Sequence, residues 1–126
     1  MSLTAVCVDD SGPEVELISR ILNSHGIKVV GKALDGQTAI DVITEKQPDL
    51  VTLDLQLPLV HGYDVLAAAI ALEKPPLVVV ASGSGQESMK RRCKELGAVE
   101  FFVKPYDDIL TWRLIEAALK ERGLLE

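Results

Sequence analysis

Charged residues follow three apolar runs of the sequence. Asp9 and Asp10 follow the first run, Asp54 ends the second, and Lys104 follows the third. If these runs are parallel strands, their carboxyl ends meet at one edge of a sheet, which is where open α/β sheets bind ligands. Three carboxylates and one lysine at such an edge indicate chemistry on a divalent cation and a phosphoryl group.

The residue types divide the roles in that chemistry. Asp54 is the candidate nucleophile, because a carboxylate can accept a phosphoryl group as an acyl phosphate. Mg²⁺ would neutralise the anionic donor, and it prefers oxygen ligands. Asp10 and Asp54 would bind the ion directly, and Asp9 would bind it through water. Lys104 would place a positive charge beside one phosphate oxygen, and the Ser82 hydroxyl would donate to another.

The elements that must position these residues alternate along the chain. Strands are predicted at residues 4–9, 27–33, 50–54, 77–81 and 99–103, and helices at 36–46, 63–73, 86–96 and 107–121. Another helix opens at residues 11–13, with Ser11 as its cap, and stops at Gly26. Leu110, Ile115 and Leu119 are expected to face inward from the last helix. Alternating strands and helices predict parallel pairing with right-handed crossovers in one α/β domain.

The bulk properties exclude several classes of protein. A chain of 126 residues suits one domain with one core. The formal net charge of -6 argues against direct nucleic-acid binding, which needs a basic surface. No apolar run approaches the roughly 20 residues of a membrane-spanning helix, and no secretory signal is visible. Cys7 and Cys93 have no metal or redox spacing, so we expect a cytoplasmic protein with buried, reduced thiols.

The whole pattern resembles the receiver domain of two-component response regulators, especially the single-domain chemotaxis type. The residues that carry the resemblance, in chain order, are Asp9, Asp10, Asp54, Pro58, Gly62, Ser82, Lys104 and Pro105. The resemblance covers residues 1–126 and implies a flavodoxin-like three-layer αβα fold. Its five-stranded parallel sheet would have the order 2-1-3-4-5, with five helices. Such a domain phosphorylates and dephosphorylates itself but is not a metabolic enzyme.

Further roles are implied by the resemblance. The backbone carbonyl of Gln56 would be an additional Mg²⁺ ligand, and the Lys104–Pro105 bond would be cis. Ser82 would move toward the phosphoryl group, and Phe101 would then turn inward. The implied partners are a histidine kinase and a protein effector, or an effector domain of the same protein if the chain is longer. The effector would bind a surface formed by the fourth helix, the fifth strand and the fifth helix.

Other interpretations stay open at this point. A haloacid-dehalogenase-like phosphatase also uses a strand-end Asp, but it needs a second Asp where Gln56 stands. A flavin carrier would need a phosphate-binding first loop, which Asp9 and Asp10 would repel. The basic residues of the fourth helix form either a solvated face or a docking patch. Trp112 lies either in the core or on the exposed output face.

Overall fold

The computed structural model describes residues 2–126, which form five strands and five helices in strict alternation. The strands are β1 Thr4–Val8, β2 Lys28–Ala33, β3 Leu50–Asp54, β4 Leu77–Ser82 and β5 Glu100–Val103. The helices are α1 Gly12–Ser24, α2 Gly36–Lys46, α3 Gly62–Ile70, α4 Glu87–Glu95 and α5 Asp108–Glu121. All strand pairs are parallel, and the order is β2-β1-β3-β4-β5. The flavodoxin-like fold and its strand order are thus confirmed.

Two apolar cores lie on opposite faces of the sheet, because successive side chains of a strand point to opposite sides. In β1, Ala5 and Cys7 pack on one face, where α1 and α5 cover the sheet. Val6 and Val8 pack on the other face, against α2, α3 and α4. Every residue of β3 is buried. A central strand covered on both sides is buried along its whole length, so most of its residues are apolar.

Helix caps explain where the elements begin. The Ser11 hydroxyl accepts a hydrogen bond from the Glu14 N–H at 3.4 Å, which confirms the predicted cap of α1. Asp35 and Asp107 cap α2 and α5 in the same way. Gly26 follows α1 with φ of 84°, a left-handed conformation that glycine adopts without steric cost.

Two expectations for the helices were wrong. The third helix ends at Ile70 instead of residue 73, because the Leu72 N–H bonds the Ala69 carbonyl in a tighter turn. Leu110 is 58% exposed, although an inward position was expected. Thr111 is buried instead, four residues before the buried Ile115, so it takes the inward position one turn earlier.

Two further expectations concern the burial of the cysteines and the absence of a membrane-spanning helix. Cys7 and Cys93 are free and buried, as predicted. Within residues 2–126, no helix combines the length and the apolar character needed to cross a bilayer.

Candidate functional site

The predicted charged residues meet at the carboxyl edge of the sheet. Leu53 pairs with Val8, so the side chains that follow these two residues are neighbours. Asp9 and Asp54 therefore lie side by side at the ends of β1 and β3. The Lys104 ammonium, which follows β5, lies 2.5 Å from Asp9 Oδ2 and 3.3 Å from Asp54 Oδ2. One lysine thus bridges two carboxylates that are 95 and 50 residues away in the chain.

A third carboxylate completes the cluster. Oxygen atoms of Asp9, Asp10 and Asp54 all lie within 4.8 Å of one another. Asp9 is 1% exposed and Asp54 is 4% exposed, whereas Asp10 is open to solvent. Three carboxylates and one ammonium leave two formal negative charges uncompensated. Such a set of hard oxygen donors, partly open to water, fits Mg²⁺, which retains several waters when it binds proteins.

Local backbone bonds orient two of the carboxylates. Asp9 Oδ1 accepts a hydrogen bond from the Ser11 N–H at 3.0 Å, and Asp54 Oδ1 accepts one from the Gln56 N–H at 3.2 Å. Each bond closes an Asx turn, in which the Asp side chain accepts a hydrogen bond from the backbone N–H two residues later. The Oδ2 atom of each Asp is directed toward Lys104. Each carboxylate is therefore held by one backbone N–H and by the same ammonium.

The pKa values of Asp54 and Lys104 are both raised, but for different reasons. Burial raises the pKa of Asp54, and the nearby Asp9 charge adds to the rise, whereas the Gln56 N–H and Lys104 lower it. Burial acts to lower the pKa of Lys104, but the combined attraction of Asp9 and Asp54 outweighs burial, so that the pKa is raised. Lys104 is therefore a permanent cation near neutral pH.

Ser82 lies at the end of β4, one residue beyond Ala81, which pairs with Asp54. It is fully buried. Its hydroxyl oxygen accepts a bond from the Ser84 N–H at 3.2 Å, and its carbonyl accepts one from the Lys104 N–H at 2.8 Å. Because the hydroxyl acts as acceptor toward Ser84, its own proton stays available for donation.

Three other predicted residues, Gln56, Phe101 and Pro105, lie beside the cluster instead of within it. The Lys104–Pro105 bond is cis, the isomer implied by the resemblance. Phe101 pairs with Val80 in the sheet and is buried in the core that α2, α3 and α4 cover. It is therefore already inward in this structure. The Gln56 side chain is exposed, and its backbone carbonyl stays an expected ligand.

Tyr106 was missed by the reasoning from sequence. The Lys104 ammonium lies 5.9 Å from the centre of its ring, within the range of a cation–π interaction. Burial raises the pKa of Tyr106, and the charges of Asp9 and Asp54 raise it further. An aromatic residue two positions after the site lysine was the available signal.

The chain is similar in sequence to several known proteins. The family model described as the response regulator receiver domain matches residues 5–116. The protein-glutamate methylesterase/protein-glutamine glutaminase of Yersinia pestis is 37% identical over 105 residues, covering 82% of this chain and 30% of that protein. Its Bacillus licheniformis counterpart is 36% identical over 109 residues, covering 85% and 30%. The chain thus spans about 30% of the length of these curated relatives.

Solved structures agree with the sequence comparisons. The response regulator domain of CheB from Thermotoga maritima is 30% identical, with a TM-score of 0.76 and coverage of 97% of this chain and 93% of that one. A chain of the CheX–CheY–BeF3–Mg²⁺ complex from Borrelia burgdorferi is 28% identical, with a TM-score of 0.89 and coverage of 93% and 89%. Neither these similarities nor those at the level of sequence support the phosphatase alternative.

Proposed function

Because this chain belongs to the response regulator receiver domain family, it is a phospho-accepting signalling domain, and we propose that Asp54 accepts the phosphoryl group from a histidine kinase. The main support is the position of its carboxylate. Asp54 ends a fully buried central strand, reaches the ligand-binding edge of the sheet, and accepts a hydrogen bond from the Lys104 ammonium, which also bonds Asp9. No other carboxylate among residues 2–126 combines these three features.

In the proposed step, a phosphoryl group passes from a histidine of the donor to the Asp54 carboxylate. A carboxylate oxygen of Asp54 forms a bond to phosphorus while the bond from phosphorus to the histidine nitrogen of the donor breaks. The electron pair of the broken bond stays with that nitrogen, and the product on Asp54 is an acyl phosphate. The Lys104 ammonium attracts one phosphoryl oxygen, and the Ser82 hydroxyl donates to another. Both groups act on charge that spreads over the phosphoryl oxygens during transfer.

Mg²⁺ is the proposed cofactor. Asp10 and Asp54 would hold it directly, Asp9 would hold it through water, and the Gln56 carbonyl would be a further ligand. When bound, the ion neutralises phosphoryl oxygens so that an anionic carboxylate and an anionic donor can approach each other. The two uncompensated charges of the cluster support this choice. So does the Mg²⁺ present in the complex of the related Borrelia burgdorferi chain.

The proposed output is a change in a protein-binding surface on α4, β5 and α5. Ser82 and Lys104 already share a backbone hydrogen bond across β4 and β5, so motion of Ser82 toward a phosphoryl group would act on both strands. Phe101 lies in β5 and is buried here. Phosphorylation would therefore shift the population between this packing and a second one, and the partner would be a protein effector.

Intact-mass spectrometry after incubation with acetyl phosphate and Mg²⁺ tests the phosphoacceptor. The wild type should gain one phosphoryl group, and Asp54→Asn should gain none. Replacement of Mg²⁺ by a chelator should abolish the gain in the wild type. Asp64→Asn is a suitable control, because Asp64 lies in the first turn of α3, outside the carboxylate cluster. Equal labelling of the wild type and Asp54→Asn would refute the assignment.

A further inference from the structure

The Lys104 ammonium is held in the unphosphorylated domain by two contacts that phosphoryl transfer must change. It bonds Asp9 Oδ2 at 2.5 Å and Asp54 Oδ2 at 3.3 Å. Formation of an acyl phosphate removes the carboxylate charge of Asp54, and both aspartates also belong to the proposed Mg²⁺ site. A lysine has a flexible stem of four carbons, so an ammonium that loses these contacts can leave the site. A further contact that the transfer leaves unchanged would keep Lys104 in place.

Tyr106 supplies a contact of this kind. The Lys104 ammonium lies over its ring, 5.9 Å from the ring centre, and no other pair of a cation and an aromatic ring among residues 2–126 is so arranged. The face of an aromatic ring is negative and attracts a cation within about 6 Å, although the ring has no formal charge. The attraction therefore does not depend on the charge of Asp54 or on a metal ion.

The position of the Tyr106 ring is fixed by packing and by the backbone on either side of it. The ring is half-buried and packs against the core that α1 and α5 cover. On one side, the Lys104 N–H bonds the Ser82 carbonyl at 2.8 Å. On the other side, Asp107 caps α5 by accepting the Leu110 N–H at 2.8 Å. None of these contacts involves a carboxylate of the cluster, so the ring stays in place when the charges of the cluster change.

We propose that Tyr106 is a positioning residue for phosphoryl transfer, because the face of its ring retains the Lys104 ammonium beside the phosphoryl oxygens while Asp54 loses its charge. This inference rests on the proposed function of Asp54. In the unphosphorylated domain the two carboxylates already hold the ammonium, so the ring adds least there. Its contribution grows as the carboxylate charge is withdrawn. Only a contact that is stronger during the transfer than before it raises the rate.

A ring that only filled space would behave differently in substitutions. An aliphatic side chain of similar size buries comparable apolar surface, but it has no negative face to attract a cation. The Tyr106 hydroxyl is not needed for the attraction, because phenylalanine attracts cations through the same ring face. Packing, hydroxyl chemistry and cation–π attraction therefore predict different effects of Tyr106→Leu and Tyr106→Phe.

The first measurement is the rate at which acetyl phosphate with Mg²⁺ labels Asp54, followed by intact-mass spectrometry. Tyr106→Phe should stay within about twofold of the wild type, because the ring face remains. Tyr106→Leu should be slower by about twofold to fivefold or more, because the ammonium loses its aromatic contact. Thermal unfolding of each variant shows whether it is folded. A folded Tyr106→Leu that is labelled at the wild-type rate would overturn the inference.

Fluorinated phenylalanines at position 106 separate cation–π attraction from packing, and they keep the test decisive if Tyr106→Leu is unfolded. Each fluorine withdraws electron density from the ring face and changes the size of the ring little. The trifluorinated ring should be about twofold to fivefold slower than Tyr106→Phe, with fewer fluorines giving intermediate rates. Phe102 is the matched control, because it packs in the same core but does not lie beneath a cation. The same series at position 102 should leave the rate unchanged.

Proton NMR of the unphosphorylated domain, with a chelator present, tests the contact without any labelling. The ring current should shift the Lys104 Hε resonances upfield in the wild type and in Tyr106→Phe, relative to Tyr106→Leu. Equal resonance positions in all three proteins would overturn the inference.

Failures of the two proposals are distinguishable. If acetyl phosphate leaves Asp54 of the wild type unlabelled, the proposed function fails, and the inference fails with it. If acetyl phosphate labels Asp54 but the rate is the same throughout the fluorine series at position 106, the inference fails and the function stands. An equal fall in rate at positions 102 and 106 would show an effect of packing, which likewise overturns the inference.

Discussion

Replacement of Lys104 by Met should destabilise the unphosphorylated domain substantially. The substitution keeps much of the aliphatic length and removes the only ammonium that contacts Asp9 and Asp54 in the part of the chain that the structure describes. Two carboxylates that are nearly excluded from solvent would then face each other without a counter-charge. Because the pKa of Lys104 is raised, the wild-type ammonium is fully charged at pH 8, and its stabilisation is fully present there.

The contacts set the expected size of the loss. Removal of one partner from a buried ion pair costs about 3–5 kcal/mol. The Lys104 side chain is 17% exposed, whereas those of Asp9 and Asp54 are 1% and 6% exposed. Partial access of water to the lysine reduces the expected cost to roughly 2–3 kcal/mol. For a domain of 126 residues, that loss lowers the Tm by about 10 °C.

Thermal and urea unfolding at pH 8 in the presence of a chelator measure this loss. Lys120→Met is the matched control, because Lys120 makes an exposed pair with Glu116 at 3.9 Å and should lose less than about 1 kcal/mol. The loss in Lys104→Met should shrink toward pH 5, because protonation of an uncompensated carboxylate relieves the repulsion.

A double-mutant cycle isolates the contact with Asp54. In the Asp54→Asn background, Lys104→Met should cost about 0.5–1 kcal/mol less than in the wild type, since the ammonium then loses only its Asp9 partner. Equal losses in both backgrounds would contradict a direct interaction between Lys104 and Asp54. If Lys104→Met loses no more stability than Lys120→Met, the claim that Lys104 compensates the buried charges of Asp9 and Asp54 is refuted.

Other predictions concern the core and the loops. Burial raises the pKa of Cys7 and Cys93, so a thiol reagent at pH 8 should modify them only as fast as the domain unfolds; rapid modification in native buffer would contradict this. Gly62→Ala should destabilise by roughly 1–3 kcal/mol in urea unfolding, since a Cβ there overlaps the Leu55 backbone; an unchanged midpoint would show that the loop yields. Leu119→Ala should cost about 2–5 kcal/mol in the same assay, because Leu119 is fully buried; a loss below about 1 kcal/mol would place it outside the core.

The fold was largely predictable because each strand is a short apolar run between turn or cap residues. β4 has an uninterrupted apolar run from Leu77 to Ala81, buried from Val78 onward, and this run indicated a central parallel strand. Periodicity alone did not establish the strand order, which came from the resemblance. The end of α3 was missed because it depends on one hydrogen bond beyond its last residue, between the Leu72 N–H and the Ala69 carbonyl. The exposure of Leu110 was missed because the sequence pattern did not show which of two adjacent residues, Leu110 or Thr111, faces the sheet.

The site was predictable to the extent that topology brings strand ends together. Asp9, Asp54 and Lys104 meet because parallel strands share one carboxyl edge. The orientation of the carboxylates by Ser11 and Gln56 was not predictable, since it depends on turn geometry after each strand. The contact between the Lys104 ammonium and the Tyr106 ring was also missed.

The surroundings of Trp112 could not be derived from the sequence pattern. The residue is half-buried, and its ring stacks on that of His25 with centres 4.3 Å apart and planes 1° from parallel. The sequence left open whether this tryptophan is in the core or on the output face. The answer depends on where the end of α1 lies relative to α5, which is a tertiary distance that helical periodicity does not contain.

Chemical mapping of the phosphorylated residue tests the central claim most directly. Borohydride reduces an aspartyl phosphate to homoserine, so peptide mass analysis of the labelled and reduced domain identifies the acceptor. The account predicts homoserine at position 54 and unmodified aspartate at Asp9 and Asp10. Homoserine at either of those two positions, or a phosphoryl group retained on a hydroxyl or imidazole, would contradict it.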